Sequence, residues 1–397
     1  MSAKTETTYG CERAIRELIS YCRGEGWAGF DPYDGLNSPF AGATSFDNKL
    51  LRTVWTQAVK RSPFNLRPLL GIRKGVNPKG VALALRSVML LAQTRIETDA
   101  AGGGFRQDFD LLSSMLAETR SREFEEACWG YNFDWQSRAF FAPRGTPNVV
   151  CTVFAAQAYL DWFEKRGNEH ALDTALSSCR FLLDRVNRTE DCFSYTPLDH
   201  SQVHNVNLLA AELLGRAYFH TQRAEYREAA EKAVAFTAHR QHTDGSWPYG
   251  ESASQVWKDS FHTGYVLVSL AHLMKYLGTD RWLLNLRQGF DFYCRSFFLA
   301  DFTPKYYHDE LYPIDVHSAA QAVVTFVEMA EIMPDSKTMA AGAVGWAINN
   351  LKDPRGFFYF QRHRFYTIKT PFIRWAQCWM LYALSLYLSS ELKGENV

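Results

Sequence analysis

Carboxylate and imidazole side chains recur together at two places in the chain, Asp259 with His262 and Asp315 with His317. A carboxylate three residues ahead of a histidine at a helix start lies within one turn of it, where it can orient the ring or raise its basicity. The two-residue spacing of the second pair places both groups in the entry to the helix instead. Either pair suits general acid/base work, with the helix N-terminus available to an anionic group or a developing enolate. With His204 these make the expected catalytic set: Asp259, His262, Asp315, His317 and His204. Capping is the competing role for each aspartate, because a carboxylate ahead of a helix satisfies orphan N–H groups and favours the positive end of the dipole. An imidazole adds little to a cap, so the histidines are harder to assign to scaffold alone.

These residues share a register. Polar clusters that run into helices of small and apolar residues begin at Asn148, Asn205, His262, His317 and Arg374, with separations of 57, 57, 55 and 57 residues. An earlier copy begins near Lys79, followed by a longer connection through Gly102, Gly103 and Gly104. Between the copies, segments 168–187, 222–241, 280–296 and 335–351 carry apolar residues at i, i+3/i+4 spacing and keep a polar face. The first set is apolar or small nearly all round, as suits helices packed between neighbours; the second set reads as an outer layer. The N-terminal third adds helices at 10–23, 47–60 and 107–120. An α-hairpin of about 55 residues repeated around a ring gives an all-α fold, the (α/α)6 toroid, with about six inner and six outer helices. The expected organisation is a single domain over 1–397, most regular over 148–390 and irregular over 10–147. No run of alternating β-branched residues argues for a sheet.

In such a ring every hairpin returns the chain to the same face before the next inner helix. Short loops rich in aromatic residues follow the outer helices, among them WGYNFDWQSR, DGSWPYGES and DFTPKYYHDE. The expected substrate-binding residues on that mouth are Asp134, Arg138, Asn148, Asp199, His200, Asn205, Trp247, Tyr249, Tyr265 and Arg374. Trp129, Tyr131, Trp135, Trp257, Tyr306 and Tyr307 join them as flat rings that could stack on sugar faces or line an apolar cavity, or simply pack the loops down. Arg138, Arg374 and other basic residues (Arg73, Lys74, Arg144, Arg362, Arg364) could hold a carboxylate or phosphate, or solvate the surface.

Composition narrows the partners. The 397 residues balance 43 basic against 43 acidic side chains, which removes the global attraction that nucleic-acid and polybasic membrane binders use. No stretch reaches about 18 uninterrupted apolar residues, and the first residues lack the apolar core of a secretory signal, so a cytoplasmic location without a transmembrane segment is expected. The eight cysteines are scattered without a C-x-x-C pair and read as reduced, mostly buried thiols. Walker, G-x-G-x-x-G, H-E-x-x-H and G-x-S-x-G patterns are missing, and neither cofactor nor metal is expected.

The segment QHTDGSW (241–247) resembles the Q-x-x-x-G-x-W repeat of squalene/hopene cyclases and related toroids, with looser echoes in DPRGFFYF and WGYNFDW. The acidic D-x-D-D motif of those cyclases has no counterpart here. From about residue 70 to 390, NPKGVALALR, HNVNLLAAELLGRAY, QHTDGSWPYGE and DSFHTGYVL resemble toroid proteins of bacterial polysaccharide-biosynthesis loci, of the six-hairpin-glycosidase-like type. That resemblance implies a carbohydrate-active protein of surface-polysaccharide assembly. It would use His/Asp acid/base chemistry on a uronate or other glycan as an epimerase, lyase or glycosidase, with an oligosaccharide or sugar-derived substrate and other assembly proteins as possible partners. Two alternatives stand beside it: an isoprenoid-handling cyclase-like toroid, and a non-catalytic glycan-binding scaffold.

Overall fold

The computed structural model describes residues 3–43, 48–94, 96, 104–138 and 140–394; Gly102 and Gly103 lie outside them. In chain order the helices are α1 (Ala3–Gly24), α2 (Pro39–Ala43), α3 (Lys49–Arg61), α4 (Pro78–Leu91), α5 (Gly104–Glu118), α6 (Val149–Arg166) and α7 (Glu169–Asp184). They continue as α8 (His204–Thr221), α9 (Ala224–His239), α10 (Ser260–Leu277), α11 (Leu283–Phe297), α12 (Val316–Met329), α13 (Ser336–Leu351) and α14 (Cys378–Gly394). A π-helical turn, Ile373–Gln377, leads into α14.

Helices α4, α6, α8, α10, α12 and α14 pack side by side, and the ring closes where α14 meets α4. Each of α5, α7, α9, α11 and α13 packs on the inner helix just before it. Helix α1 packs on α13 and α14, so the N-terminal helix supplies the sixth outer position. The fold is the expected (α/α)6 toroid. The helix expected at 47–60 takes a different place: α3 packs against the 3-10 turn Asp34–Asn37 and the strand Trp135–Gln136, on the mouth face of the ring. It stands outside the repeat, which is why the repeat register said nothing about its position.

Burial follows the sequence pattern. Every residue from Val149 to Leu160 in α6 and from His204 to Ala217 in α8 is buried, whereas outer helix α7 buries a single stripe that includes Ala171, Ala175, Cys179 and Leu182. A helix with no polar face is stable only between neighbours on all sides, which a ring provides. Helix ends are set locally. Asn148, Asp259 and Asp315 accept hydrogen bonds from the backbone N–H of Cys151, His262 and His317 at 2.9, 2.9 and 2.7 Å. Gly167 and Gly278 end α6 and α10 in the left-handed region, at φ 62° and 63°.

The QHTDGSW segment is a structural clip. Gln241 Nε2 donates to the carbonyls of Gly245 and Asn285, both at 2.9 Å, and Trp247 Nε1 donates to Thr237 O at 2.9 Å. A Cβ at Gly289 would stand 2.5 Å from the Trp247 ring, so glycine is what lets α11 close over the indole. At the opposite end of the ring, ion pairs lace the inner helices together. Asp161 accepts from Arg86 and Arg216 at 2.7 Å each. His272 lies between Glu212 at 2.9 Å and Glu328 at 3.0 Å. Burial opposes its charge, but Glu328 and Glu212 outweigh it and push the His272 pKa up to about 10.

Among the described residues the strands are two residues long and confined to mouth loops. Trp135–Gln136 pairs with Phe141–Ala142, Arg188–Thr189 with Cys192–Phe193, and Gln361–Arg362 sits between Ile314–Asp315 and Thr367–Ile368, all antiparallel. All eight cysteines are unpaired, and only Cys294 is not fully buried. No described helix is long and apolar enough to cross a membrane.

Candidate functional site

Where the N-terminal ends of the inner helices converge, a cavity of about 390 Å³ opens, walled by the loops before α6, α8, α10 and α12, by the turn before α14, and by α3. Among the described residues His262 is the one imidazole in its wall, and its side chain is 23% exposed. Asp259 lies fully buried behind it. One carboxylate oxygen caps the His262 backbone N–H; the other faces Nδ1 at 2.7 Å and accepts from Trp257 Nε1 at 2.9 Å. A carboxylate here can only accept, so the geometry holds the ring proton on Nδ1 and leaves the Nε2 lone pair free. Nε2 has no hydrogen-bond partner among the described residues. Tyr249 and Phe261 pack on the ring, with centroids 4.5 and 4.0 Å away, and Tyr249 stacks on Trp257 at 4.5 Å.

The second Asp/His pair turns elsewhere. Asp259 and Asp315 are equivalent caps, but His262 is the third residue of its helix and His317 the second, and one residue rotates a side chain by about 100° around the axis. His317 is therefore turned into the ring, 1% exposed and absent from the cavity wall. Its Nδ1 donates to Trp375 O at 3.1 Å, which leaves Nε2 to accept from the Tyr265 hydroxyl at 3.0 Å. The Tyr265 oxygen accepts in turn from Lys79 Nζ at 3.0 Å. Burial, with Lys79 nearby, holds the His317 pKa well below its ordinary value; burial lowers that of Lys79 as well. The Lys79 ammonium end is caged by Phe154, Trp379 and Tyr265 at 4.3, 5.0 and 5.2 Å. Asp315 accepts from Gln361 Nε2 at 2.6 Å and Trp375 Nε1 at 2.9 Å, and burial raises its pKa.

His204, the first residue of α8, turns outward. It meets Thr237 Oγ1 at 3.3 Å and Glu251 Oε1 at 2.8 Å, away from the cavity. Thus, of the expected catalytic set, the structure brings only His262 to the wall, with Asp259 directly behind it.

Of the expected binding residues, Arg138, Tyr249 and Arg374 line the cavity. Arg138 lies over the Trp257 ring at 4.2 Å and donates to Ser254 O at 3.2 Å. Arg374 grips Asp31 with two hydrogen bonds of 2.6 and 2.8 Å and lies 5.0 Å over Tyr131. The others stand off the wall. Asn148 is spent on its cap, and Asp199 ties its own loop by accepting from Thr196 N at 2.6 Å and Ser201 N at 2.8 Å. Asp134 accepts from Arg144 N at 2.7 Å, His200 is exposed, and Trp247 is the clip described above. Asn205 is buried with its side-chain oxygen unsatisfied, and Tyr265 belongs to the interior relay.

Among the aromatics, Tyr131, Trp135, Trp257, Tyr306 and Tyr307 line the cavity, while Trp129 is packed inside. The Tyr131 and Tyr195 hydroxyls are hydrogen-bonded to each other at 2.8 Å.

Sequence reasoning missed Asp31, Tyr33, Gln57, Lys60, Arg61 and Lys79. The first five lie in or beside α3 and its approach, outside the repeat. Lys79 had a signal: it is the second residue of its inner helix, as Asn205, Phe261 and His317 are of theirs. No described group of three His, Cys, Asp or Glu side chains is arranged to hold a metal ion.

Solved structures share this toroid. The cellobiose 2-epimerase of Bacillus thermoamylovorans matches with a TM-score of 0.61 at 12% identity, over 80% of this chain and 88% of that one. An unsaturated glucuronyl hydrolase specific for heparin matches with a TM-score of 0.63 at 12% identity, over 98% of each chain. A family 76 glycoside hydrolase, a mannosidase of Bacteroides thetaiotaomicron, gives 0.59 at 13% identity, over 81% and 89%. At such identities the likeness is one of fold. No protein-family model matches the sequence, and no curated protein does.

Proposed function

We propose that this chain is a carbohydrate-active enzyme that moves a proton at a sugar carbon, as an epimerase or lyase of a uronate or other glycan unit, with His262 as its base. One observation carries the reading: a single Asp-oriented imidazole faces a cavity whose wall, among the described residues, contains no aspartate or glutamate. Hydrolysis by the common two-carboxylate route needs an acid and a base or nucleophile flanking the scissile bond. Proton abstraction beside a carbonyl or carboxylate needs one positioned base and donors for the charge that develops on oxygen.

Asp259 fixes the tautomer in which His262 Nε2 has its lone pair toward the cavity, and it stabilises the imidazolium once the carbon proton has been taken. The one hydroxyl proton of the Tyr131/Tyr195 pair that is not spent between them and the cationic groups of the wall supply donors for the enolate oxygen. Return of a proton from water to the opposite face inverts the carbon, with the imidazolium releasing its own to solvent; departure of the neighbouring substituent with the imidazolium proton completes an elimination instead. Stacked Tyr249 and Trp257 offer flat faces to a pyranose ring. The toroids in the comparison, which include an epimerase and a glycosidase, support carbohydrate as the substrate class. The isoprenoid alternative calls for an apolar funnel, whereas Lys60, Arg61, Arg138 and Arg374 line this one. Unpaired cysteines support a reducing, cytoplasmic location. A role in surface-polysaccharide assembly rests on the sequence resemblance alone.

The test is proton exchange. The protein is incubated in D2O with a panel of uronate-containing and neutral oligosaccharides, and loss of C–H signal is followed by NMR. Exchange in the wild type that disappears in His262→Ala, with the variant still folded, is the expected result. Glycoside hydrolysis without exchange, or exchange that survives the substitution, refutes the assignment.

A further inference from the structure

The charge balance of the cavity wall goes further than the acid/base pair. Among the described residues, four cationic side chains line it and no carboxylate does, although the chain as a whole is neutral. Arg374 is already neutralised by Asp31. The other three make no close ion pair among the described residues, although Lys60 is near enough to the buried Asp315 to act on its carboxylate. Lys60 donates to the Tyr33 hydroxyl at 2.9 Å and lies 4.3 Å over that ring, which pins the ammonium while leaving further N–H donors. Arg138 is held flat on Trp257 at 4.2 Å with one hydrogen bond to a backbone carbonyl. Arg61, next to Lys60 on α3, lines the cavity, is exposed, and makes no hydrogen bond among the described residues. Two pinned cations and a third beside them, none in a close ion pair and all beside an aromatic wall, are a receptor awaiting an anion.

We propose that Lys60, Arg61 and Arg138 form a receptor for an anionic substituent on the sugar, a carboxylate or a phosphate ester, which anchors the substrate while His262 acts. This rests on the reading of the cavity as a sugar site. It also gives α3 a function: the helix stands outside the toroid repeat and supplies two of the three cations. A cation near a substrate carboxylate would, in addition, favour the electron-rich enolate that forms when the adjacent carbon loses its proton.

The experiment compares three probes by calorimetric titration at low and high salt: a glucuronate-terminated disaccharide, the same disaccharide reduced to the neutral sugar at C6, and a hexose phosphate. Tighter binding of either anionic probe than of the neutral one, by about tenfold or more and weakening with salt, is expected. Preference for the carboxylate or for the phosphate then identifies the source of the charge. Lys60→Gln and Arg138→Gln should each erase most of that preference while leaving affinity for the neutral probe nearly unchanged. Arg61→Gln and Arg138→Gln alter exposed side chains and keep the test valid should Lys60→Gln fold poorly. Equal binding of charged and neutral probes by the wild type, or a preference untouched by all three substitutions, overturns the receptor. His262→Ala should keep the anionic preference while losing proton exchange; in the wild type, a preference without any proton exchange would sink the catalytic reading alone.

Discussion

Replacing Arg374 by methionine tests how the ring is closed at its mouth. Arg374 precedes the last inner helix and Asp31 follows the first outer one, 343 residues apart, and the two meet through hydrogen bonds of 2.6 and 2.8 Å. Their side chains are 3% and 4% exposed, so little water is available to either alone. Arg374→Met keeps most of the side-chain volume but leaves the Asp31 carboxylate with the Tyr33 N–H, at 3.0 Å, as its remaining donor. Stranding one member of a buried pair costs about 3–5 kcal/mol. Methionine recovers part of the packing against Tyr131, so a loss of about 3 kcal/mol is expected. The double variant Arg374→Met, Asp31→Asn removes both charges and should lose only about 1 kcal/mol, because a neutral amide tolerates the site. Denaturant unfolding followed by circular dichroism, with all four proteins of the cycle, measures this directly. A single variant within about 0.5 kcal/mol of wild type, or a double variant worse than the sum of the singles, would show that the pair does not close the ring.

Asp259→Asn should preserve the helix cap but offer Nδ1 an amide that donates as readily as it accepts; we expect proton exchange to slow about a hundredfold with the fold intact, and undiminished exchange would count against the orienting role. Gly289→Ala should destabilise by about 1–3 kcal/mol, since its methyl meets the Trp247 ring, and Trp247→Ala by about 3–5 kcal/mol, both read from denaturation midpoints. For His272 the folded pKa is raised to about 10 from its ordinary 6.5, so the stability it contributes is fully present below the ordinary value and is lost as pH climbs toward 10. The loss between pH 6.5 and 10 should reach a few kcal/mol, up to about 4, in wild type and shrink in His272→Gln; parallel pH profiles for the two proteins would contradict the assignment.

The helices, their two classes and the closed repeat were legible in the sequence because they follow from local rules. A helix with no polar face must be surrounded, and five such helices at near-constant spacing admit few arrangements besides a ring. Asn148, Asp259 and Asp315 were readable as caps for the same reason, since capping is decided within one turn. The face on which the inner-helix N-termini and aromatic loops gather was readable too, from the common entry point of each repeat.

Side-chain direction and charge compensation were not. The spacings of Asp259/His262 and Asp315/His317 differ by one residue, and only the packed helices convert that residue into a rotation that sends one imidazole to the cavity and the other to Tyr265 and Lys79. Arg374 appeared as a binding residue because it is basic and stands at the equivalent position of its repeat; its acidic partner arrives from the other end of the chain. Lys60 and Arg61 sit on a helix whose pattern fixed its existence and left its place open. The sequence alone thus determined the architecture and the face on which polar and aromatic side chains collect. Tertiary structure decided which of them share a cavity and which charges there remain unpaired, because both depend on contacts between segments hundreds of residues apart.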